Sequence, residues 1–248
     1  MKIGVKTYYG EAFLRNFEKK ADFFEIMAVE GKDYTFLKKF SNPIVVHAEH
    51  QTFGINLADK TKEKQNLSAL NFARKIADFS RAKKIILHAG ALENKNCSKK
   101  NALALIKSLD KRMPIKNILI ENLPHLPHIN YFSTTPAEIE KLIKEAGVGF
   151  CLDINHAIVT AISLKKDYIS FLEEFIKLEP QHYHLGGQRI RARKDAHIAL
   201  KHSEIDIKEI LALLPENAEV TLETEPDINK TENDLKIIKK TLQNLGKM

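Results

Sequence analysis

The chain has 248 residues, 44% hydrophobic and 29% charged, enough to bury a sizeable core, and no apolar run approaches the roughly 18 residues needed to cross a bilayer. The formal charge of +7 suits a polyanionic partner such as nucleic acid, although most lysines fall at solvent-facing spacing on helical patterns such as KKDYISFLEEFIK. The opening MKIGVKTYYG lacks the apolar stretch of a secretory signal, and Cys97 and Cys151 sit in a loop or helix start and mid-strand respectively. An intracellular, cytoplasmic chain without a disulfide is expected.

In chain order, short β-branched or aromatic runs alternate with longer amphipathic ones. KIGVKT (2–7), FFEIMA (23–28), IVVHAE (44–49) and KIILHAG (84–90) predict the first four strands. NILIENL (117–123), GFCLDI (149–154), HYHLGG (182–187) and EVTLETE (219–225) predict four more. Most are apolar throughout rather than alternately, as in parallel strands covered on both faces. Between them, KEKQNLSALNFARKIADFSRA, SKKNALALIKSLDKR, TPAEIEKLIKEAG, DIKEILALLPE and ENDLKIIKKTLQNLG repeat apolar residues at three and four and predict helices. Thr135, Pro136 and Gly147 supply an N-cap, a first-turn proline and a terminal glycine. GKDYTFLKKF, after the second strand, offers barely two turns of helix. With no linker-like stretch, residues 1–248 read as one α/β domain, a closed parallel (β/α)8 TIM barrel.

In such a barrel the C-terminal ends of the strands form the active face. His47, His88, Glu121, Asp153, His184 and Glu223 close strands three to eight; His156 follows Asp153, and Asp195 and His197 follow strand seven. Any one of these is ordinarily a hydrogen-bonded core residue or a cap. Several adjacent strands delivering carboxylates to one rim is different, because crowded carboxylates without counter-charge raise one another's pKa. A divalent metal removes that cost, and His, Asp and Glu without thiolates suit a catalytic zinc or manganese site. His182, two residues before His184, is expected one layer deeper, where it could orient a ligand. Glu25, Glu49 and Glu225 fit support of a ligand, acid–base work or a solvated rim. His50, His125, His128 and His202 read as loop residues.

The ordered set VVHAEHQTFGINL, IILHAG, ILIENLP, CLDINHA, YHLGG, DAH and LETEPD resembles the endonuclease IV family of apurinic/apyrimidinic endonucleases. The wider superfamily also holds xylose isomerase-like sugar isomerases and epimerases. The resemblance implies up to three zinc ions. His47, His88 and Glu121 would hold one; Glu121, Asp153, His184 and Glu223 a second; His156, Asp195 and His197 a third. It further implies hydrolysis of DNA 5′ to an abasic site by a monomer, with Glu223 orienting or deprotonating the attacking hydroxide. Several features depart from that pattern, the shorter chain and the HLGGQ stretch among them. The segment after strand two is short, His50 and Gln51 stand where the family has an apolar wedge, and Ala196 stands where an arginine is common. The alternative is an isomerase or epimerase with a small sugar substrate. One metal would then be held by Glu121, Asp153, His184 and Glu223, His156 would touch substrate, and Glu121 and Glu223 would shuttle the proton. A non-catalytic binding module on the same barrel is a third reading.

Overall fold

The computed structural model describes residues 1–7, 10–109, 118–190 and 195–247. The chain runs β1 (Lys2–Thr7), α1 (Glu11–Phe17), β2 (Phe23–Ala28), β3 (Ile44–Ala48), α2 (Glu63–Ser80), β4 (Ile85–His88), α3 (Lys99–Ser108), β5 (Ile118–Glu121), α4 (Pro136–Ala146), β6 (Gly149–Asp153), α5 (Ile154–Ser163), α6 (Tyr168–Ile176), β7 (His182–Leu185), α7 (Ile207–Leu213), β8 (Glu219–Leu222) and α8 (Ile228–Asn244). All eight strands are parallel, each pairs with its sequence neighbour, and β8 returns to β1 through Lys2–Val5 against Glu219–Leu222, which closes the barrel. The end of the helix predicted over 98–112 and the first residue of the strand predicted over 117–123 lie outside the described residues.

Alternation along the strands sorts the side chains. Ile3, Val5, Phe24, Ile26, Val46, Ile85, Leu87, Ile118, Ile120, Phe150, Leu152, Tyr183, Leu185, Val220 and Leu222 face outward and join the helices in the main core. The opposite parity points into the barrel, where Phe23, Val45, Ile86, Leu119 and Cys151 form a separate apolar plug. Gly4 leaves room for this plug, since a Cβ there would meet the Phe23 ring at 2.2 Å. Two residues further along the same strands the inward positions are Lys6, Glu25, His47, His88, Glu121 and Asp153. The plug closes the floor; Glu25 pairs in register with Val45 of the plug, and His47, His88, Glu121 and Asp153 sit above it at the C-terminal mouth.

The alternation of strand and helix is not strict. After β2 the described chain makes only a 3-10 turn at Thr35–Lys39, because the connection is too short to lay a helix along the barrel. Two helices follow β6 instead. The first of them, α5, is buried at every position from Ile154 to Ala161, so it lacks the polar face by which periodicity identifies a helix. Ile154 therefore starts a helix, where the sequence suggested the end of a strand. Among the predicted caps, Thr135 and Glu138 form a reciprocal capping box at α4, Pro136 opens the helix, and Gly147 ends it in the left-handed region at φ +70°. Cys97 and Cys151 are free. Among the described residues no helix is long and apolar enough to cross a membrane.

Candidate metal centre

The mouth of the barrel gathers all nine residues singled out from the sequence. His47 Nε2 and His88 Nε2 lie 3.0 and 3.3 Å from Glu121 Oε2. His184 Nδ1 faces Glu223 Oε2 at 2.8 Å, Glu121 Oε2 at 3.5 Å and Asp153 Oδ2 at 3.7 Å. His156 Nε2 lies 3.1 Å from Asp195 Oδ2, and His197 Nε2 pairs with the same oxygen. Three groups stand out, each with ligand atoms within 4.8 Å of one another: His47, His88 and Glu121; Glu121, Asp153, His184 and Glu223; and Asp153, His156 and His197.

Local structure explains how each donor is aimed. Asp153 caps α5 by accepting the His156 backbone N–H through Oδ1 at 2.7 Å, which leaves Oδ2 turned to the cluster. The same cap puts His156 in the first turn of α5, above the end of β6, rather than in a loop. Asn122 ties β5 to β6, its amide donating to the Asp153 carbonyl at 2.9 Å and accepting the Asp153 N–H at 2.7 Å. Asn155 holds the turn after β7, accepting the Gly186 N–H at 2.9 Å and donating to the Gly187 carbonyl at 3.2 Å. Both glycines are needed there. A Cβ on Gly186 would meet the Glu223 carbonyl at 2.7 Å, and one on Gly187 the Ile198 carbonyl at 2.5 Å. His197 adopts φ +39°, a left-handed conformation uncommon outside glycine, while its Nδ1 lies 2.8 Å from the Glu223 carbonyl.

Each imidazole is committed through one nitrogen. His47 Nδ1 sits 2.8 Å from the Ala48 carbonyl and His156 Nδ1 2.8 Å from the Asn122 carbonyl, partners to which only an N–H can donate. His197 Nδ1 is held likewise by Glu223, and His184 Nε2 donates to Glu25 Oε2 at 3.0 Å. The second nitrogen of each then faces carboxylate oxygen, an arrangement that demands a cation, either a proton or a metal ion. Asp153 Oδ2, His184 Nδ1, Asp195 Oδ1 and Glu223 Oε2 are buried without a hydrogen bond, although His184 Nδ1 and Glu223 Oε2 are only 2.8 Å apart. Close approach without alignment fits atoms aimed at a common third point. The donor set fits a borderline divalent ion such as zinc or manganese.

The electrostatics agree. Burial opposes the charge on Glu121 and on Glu223, yet His88 and His184 hold the first, and Lys6 and His184 the second, well below the usual carboxylate range. Burial also opposes protonation of His156, His184 and His197. Asp153 and Asp195 nonetheless draw His156 well above its ordinary value; Cys151, Glu25 and Glu223 do so for His184; and Asp195 brings His197 to about 9. Asp195 is lowered in turn by His197 and His156 against its own burial. His156, His184 and His197 thus hold protons where a stronger cation would displace them, whereas burial lowers His88.

Four residues of the centre went unassigned or undervalued in the sequence. Lys6 donates to Glu223 Oε1 at 2.7 Å and lies 3.2 Å from Glu25 Oε1. Burial works against its charge, but Glu223, Glu25 and Glu121 raise its pKa. Glu25, fully buried, also accepts from Thr221 Oγ1 at 2.7 Å and stands 3.3 Å from His182 Nε2, one layer below the mouth. Inward parity beside an apolar plug was the sign available for Lys6 and Glu25. His50 stacks on His88 at 4.6 Å between ring centroids, and Gln51 Oε1 lies 3.4 Å from His88 Nδ1, so the turn after β3 folds onto the centre. Burial and the neighbouring His88 and His47 push His50 down to about 2. Elsewhere, Glu49 accepts the Glu30 N–H at 3.1 Å, Glu225 pairs with Lys230 at 2.6 Å, and His125 contacts Ser163 Oγ at 2.7 Å, all outside the centre. His128 and His202 are exposed.

The sequence profile of the xylose isomerase-like TIM barrel family, AP endonuclease 2, matches residues 32–243. No curated protein sequence matches. Among solved structures, a D-tagatose 3-epimerase-like protein is 20% identical, with a TM-score of 0.80 over 99% of this chain and 98% of its own. Endonuclease IV from Thermus thermophilus is 15% identical, with a TM-score of 0.74 over 98% and 100%. An L-ribulose 3-epimerase is 12% identical, with a TM-score of 0.68 over 99% and 93%. A closed eight-stranded barrel, a His/Asp/Glu centre at its mouth and a profile covering most of its length place this chain in the xylose isomerase-like TIM barrel (AP endonuclease 2) family.

Proposed function

We propose that the chain is a divalent metal-dependent isomerase or epimerase acting on a small carbonyl-bearing sugar. The reading rests on the quartet Glu121, Asp153, His184 and Glu223, which brings two glutamates to one mouth from opposite supports. Glu121 is flanked by His47 and His88, and Glu223 by Lys6. A divalent ion bound by the quartet would polarise the sugar's carbonyl and adjacent hydroxyl and so acidify the carbon between them. One glutamate removes the proton from that carbon, and the C–H electron pair passes into the carbonyl system to give an enediolate. The other glutamate relays a proton from solvent to the opposite face and the first returns its own to solvent, so the protons balance and no oxidant or reductant is required. His156 stands at the edge of the quartet, where it can meet a substrate hydroxyl.

The observation that favours this reading over DNA cleavage is the turn after β3. His50 and Gln51 stand where the resemblance to endonuclease IV puts a DNA wedge, yet they pack inward on His88. The epimerase-type names of two fold neighbours agree. A second reading, zinc-dependent hydrolysis at abasic sites in DNA, draws on the five further donors His47, His88, His156, Asp195 and His197, more than a one-metal isomerase uses, and on the charge of +7.

The two readings separate in one experiment. Metal-loaded protein is incubated with a panel of ketoses in D2O, and in parallel with a plasmid carrying abasic sites. Exchange of the proton beside the carbonyl, seen by NMR and abolished by chelator, is expected. Absence of exchange across the panel, together with chelator-sensitive nicking, overturns the isomerase reading in favour of the nuclease.

A further inference from the structure

Below the quartet lies another group with the composition of a metal site. Glu25, His182 and His184 offer ligand atoms within 4.8 Å of one another, all fully buried. His184 belongs to both levels, with Nε2 facing Glu25 at 3.0 Å and Nδ1 facing Glu223 at 2.8 Å. A cation in the lower group would take the first nitrogen and reorganise the second. The Lys6 ammonium already stands at that level. Lys6 lies beside Glu25 in the β1–β2 register and reaches across to Glu223 beyond β8, the other neighbour of β1. Its side chain is 9% exposed, and it lies 3.2 Å from the one oxygen of Glu25 that has no hydrogen bond.

We infer that Lys6 is a positioning residue that takes the place of a cation between Glu25 and Glu223, keeping metal out of the Glu25–His182–His184 group and confining it to the mouth. The inference rests on the metal-centred reading above. The reason is electrostatic. A divalent ion among Glu25, His182 and His184 would lie against a fixed ammonium in a site closed to water, where like charges repel strongly. With Lys6 in place, Glu25 remains a hydrogen-bond acceptor for His184 Nε2–H. That fixes the tautomer leaving the Nδ1 lone pair for the mouth. Lys6 also occupies one oxygen of Glu223 and so presents the other alone to the quartet.

The test is a count of bound ions. Wild type, Lys6→Met, Lys6→Arg, Glu25→Gln and Lys6→Met/Glu25→Gln are stripped with chelator, refilled with zinc, dialysed and analysed for zinc per chain, with circular dichroism as a check on folding. Lys6→Met is expected to hold one ion more than wild type, and adding Glu25→Gln removes it. Lys6→Arg and Glu25→Gln alone keep the wild-type count. An unchanged or smaller count in folded Lys6→Met overturns the role of Lys6. If Lys6→Met does not fold, Glu25→Gln decides: an unchanged count supports the inference, and loss of an ion shows that Glu25 is already a ligand and overturns it. A wild-type chain that holds no zinc removes the metal reading and this inference with it, whereas a normal wild-type count beside an unchanged Lys6→Met count removes only the latter.

Discussion

The two flanks of the centre are built differently. On one, His47, His88 and Glu121 are strand residues paired directly to neighbouring strands, and His47 and Glu121 are each 1% exposed. On the other, Asp195 and His197 come from a connection outside the strands, are 21% and 26% exposed, and are fixed by a strained backbone and the Glu223 carbonyl. Asp153, a strand end and helix cap, and His156, in the first turn of α5, stand between. Strand geometry places a ligand without further support, whereas a loop must be held by hydrogen bonds that can be lost singly. The first flank is therefore preorganised, whereas the second depends on contacts that a single substitution can remove.

The contrast can be broken in order of effect. Glu121→Gln removes a charge from the strand-borne flank, where it faces His47 and His88. Zinc affinity measured by competition with a chromogenic chelator is expected to fall by more than about a hundredfold, beyond the range seen for supporting residues alone. His197→Ala is expected to cost less, about tenfold to a hundredfold. Equal losses would show that the two flanks act as one unit.

The pH dependence follows from the raised histidines. In the metal-free protein His197 titrates near 9 instead of 6.5, so it carries a proton at neutral pH that must leave before it can ligate. Metal affinity should therefore rise with pH up to about 9, roughly tenfold per unit for each proton released, with the release visible as buffer-dependent calorimetric heat. A flat profile between pH 6 and 8 would show that the imidazoles are already neutral. The same shift acts oppositely on the metal-free fold. Its folded pKa lies above the unfolded value, so the stability it contributes is complete below about 6.5 and is lost as pH rises through about 9.

The smallest effect is the control. Thr135→Ala breaks the capping box of α4, far from either flank. It should lower stability by about 1 kcal/mol, or about 2–4 °C in Tm, with metal affinity unchanged. A change in affinity would show that the helical layer couples to the mouth.

Much of this was legible in the residues. A β-strand exposes alternate side chains to one side, so an apolar residue followed two positions later by a ligand type, as in Val45 and His47, Leu119 and Glu121, or Cys151 and Asp153, announces a floor and a mouth. Capping residues announce α4 in the same local way. Less was legible where a pattern has two physical causes. Lys6 looks like any lysine near a strand end, and only closure of β1 against both β2 and β8 puts Glu25 and Glu223 on either side of it. The first half of α5 has no polar face because it is enclosed, and an enclosed helix leaves no periodicity to read. His50 and Gln51 follow β3 in sequence, but their inward turn depends on His88 being there to stack against.

By itself, then, the sequence determined the strand order, the barrel and which polar side chains reach its mouth, because period, propensity and capping act over a few residues. Only the tertiary structure decided which carboxylate answers which imidazole, that a lysine stands among them and that the turn after β3 closes over them. Those relations join residues up to 217 positions apart, as Lys6 and Glu223 are, and come into being when the barrel closes.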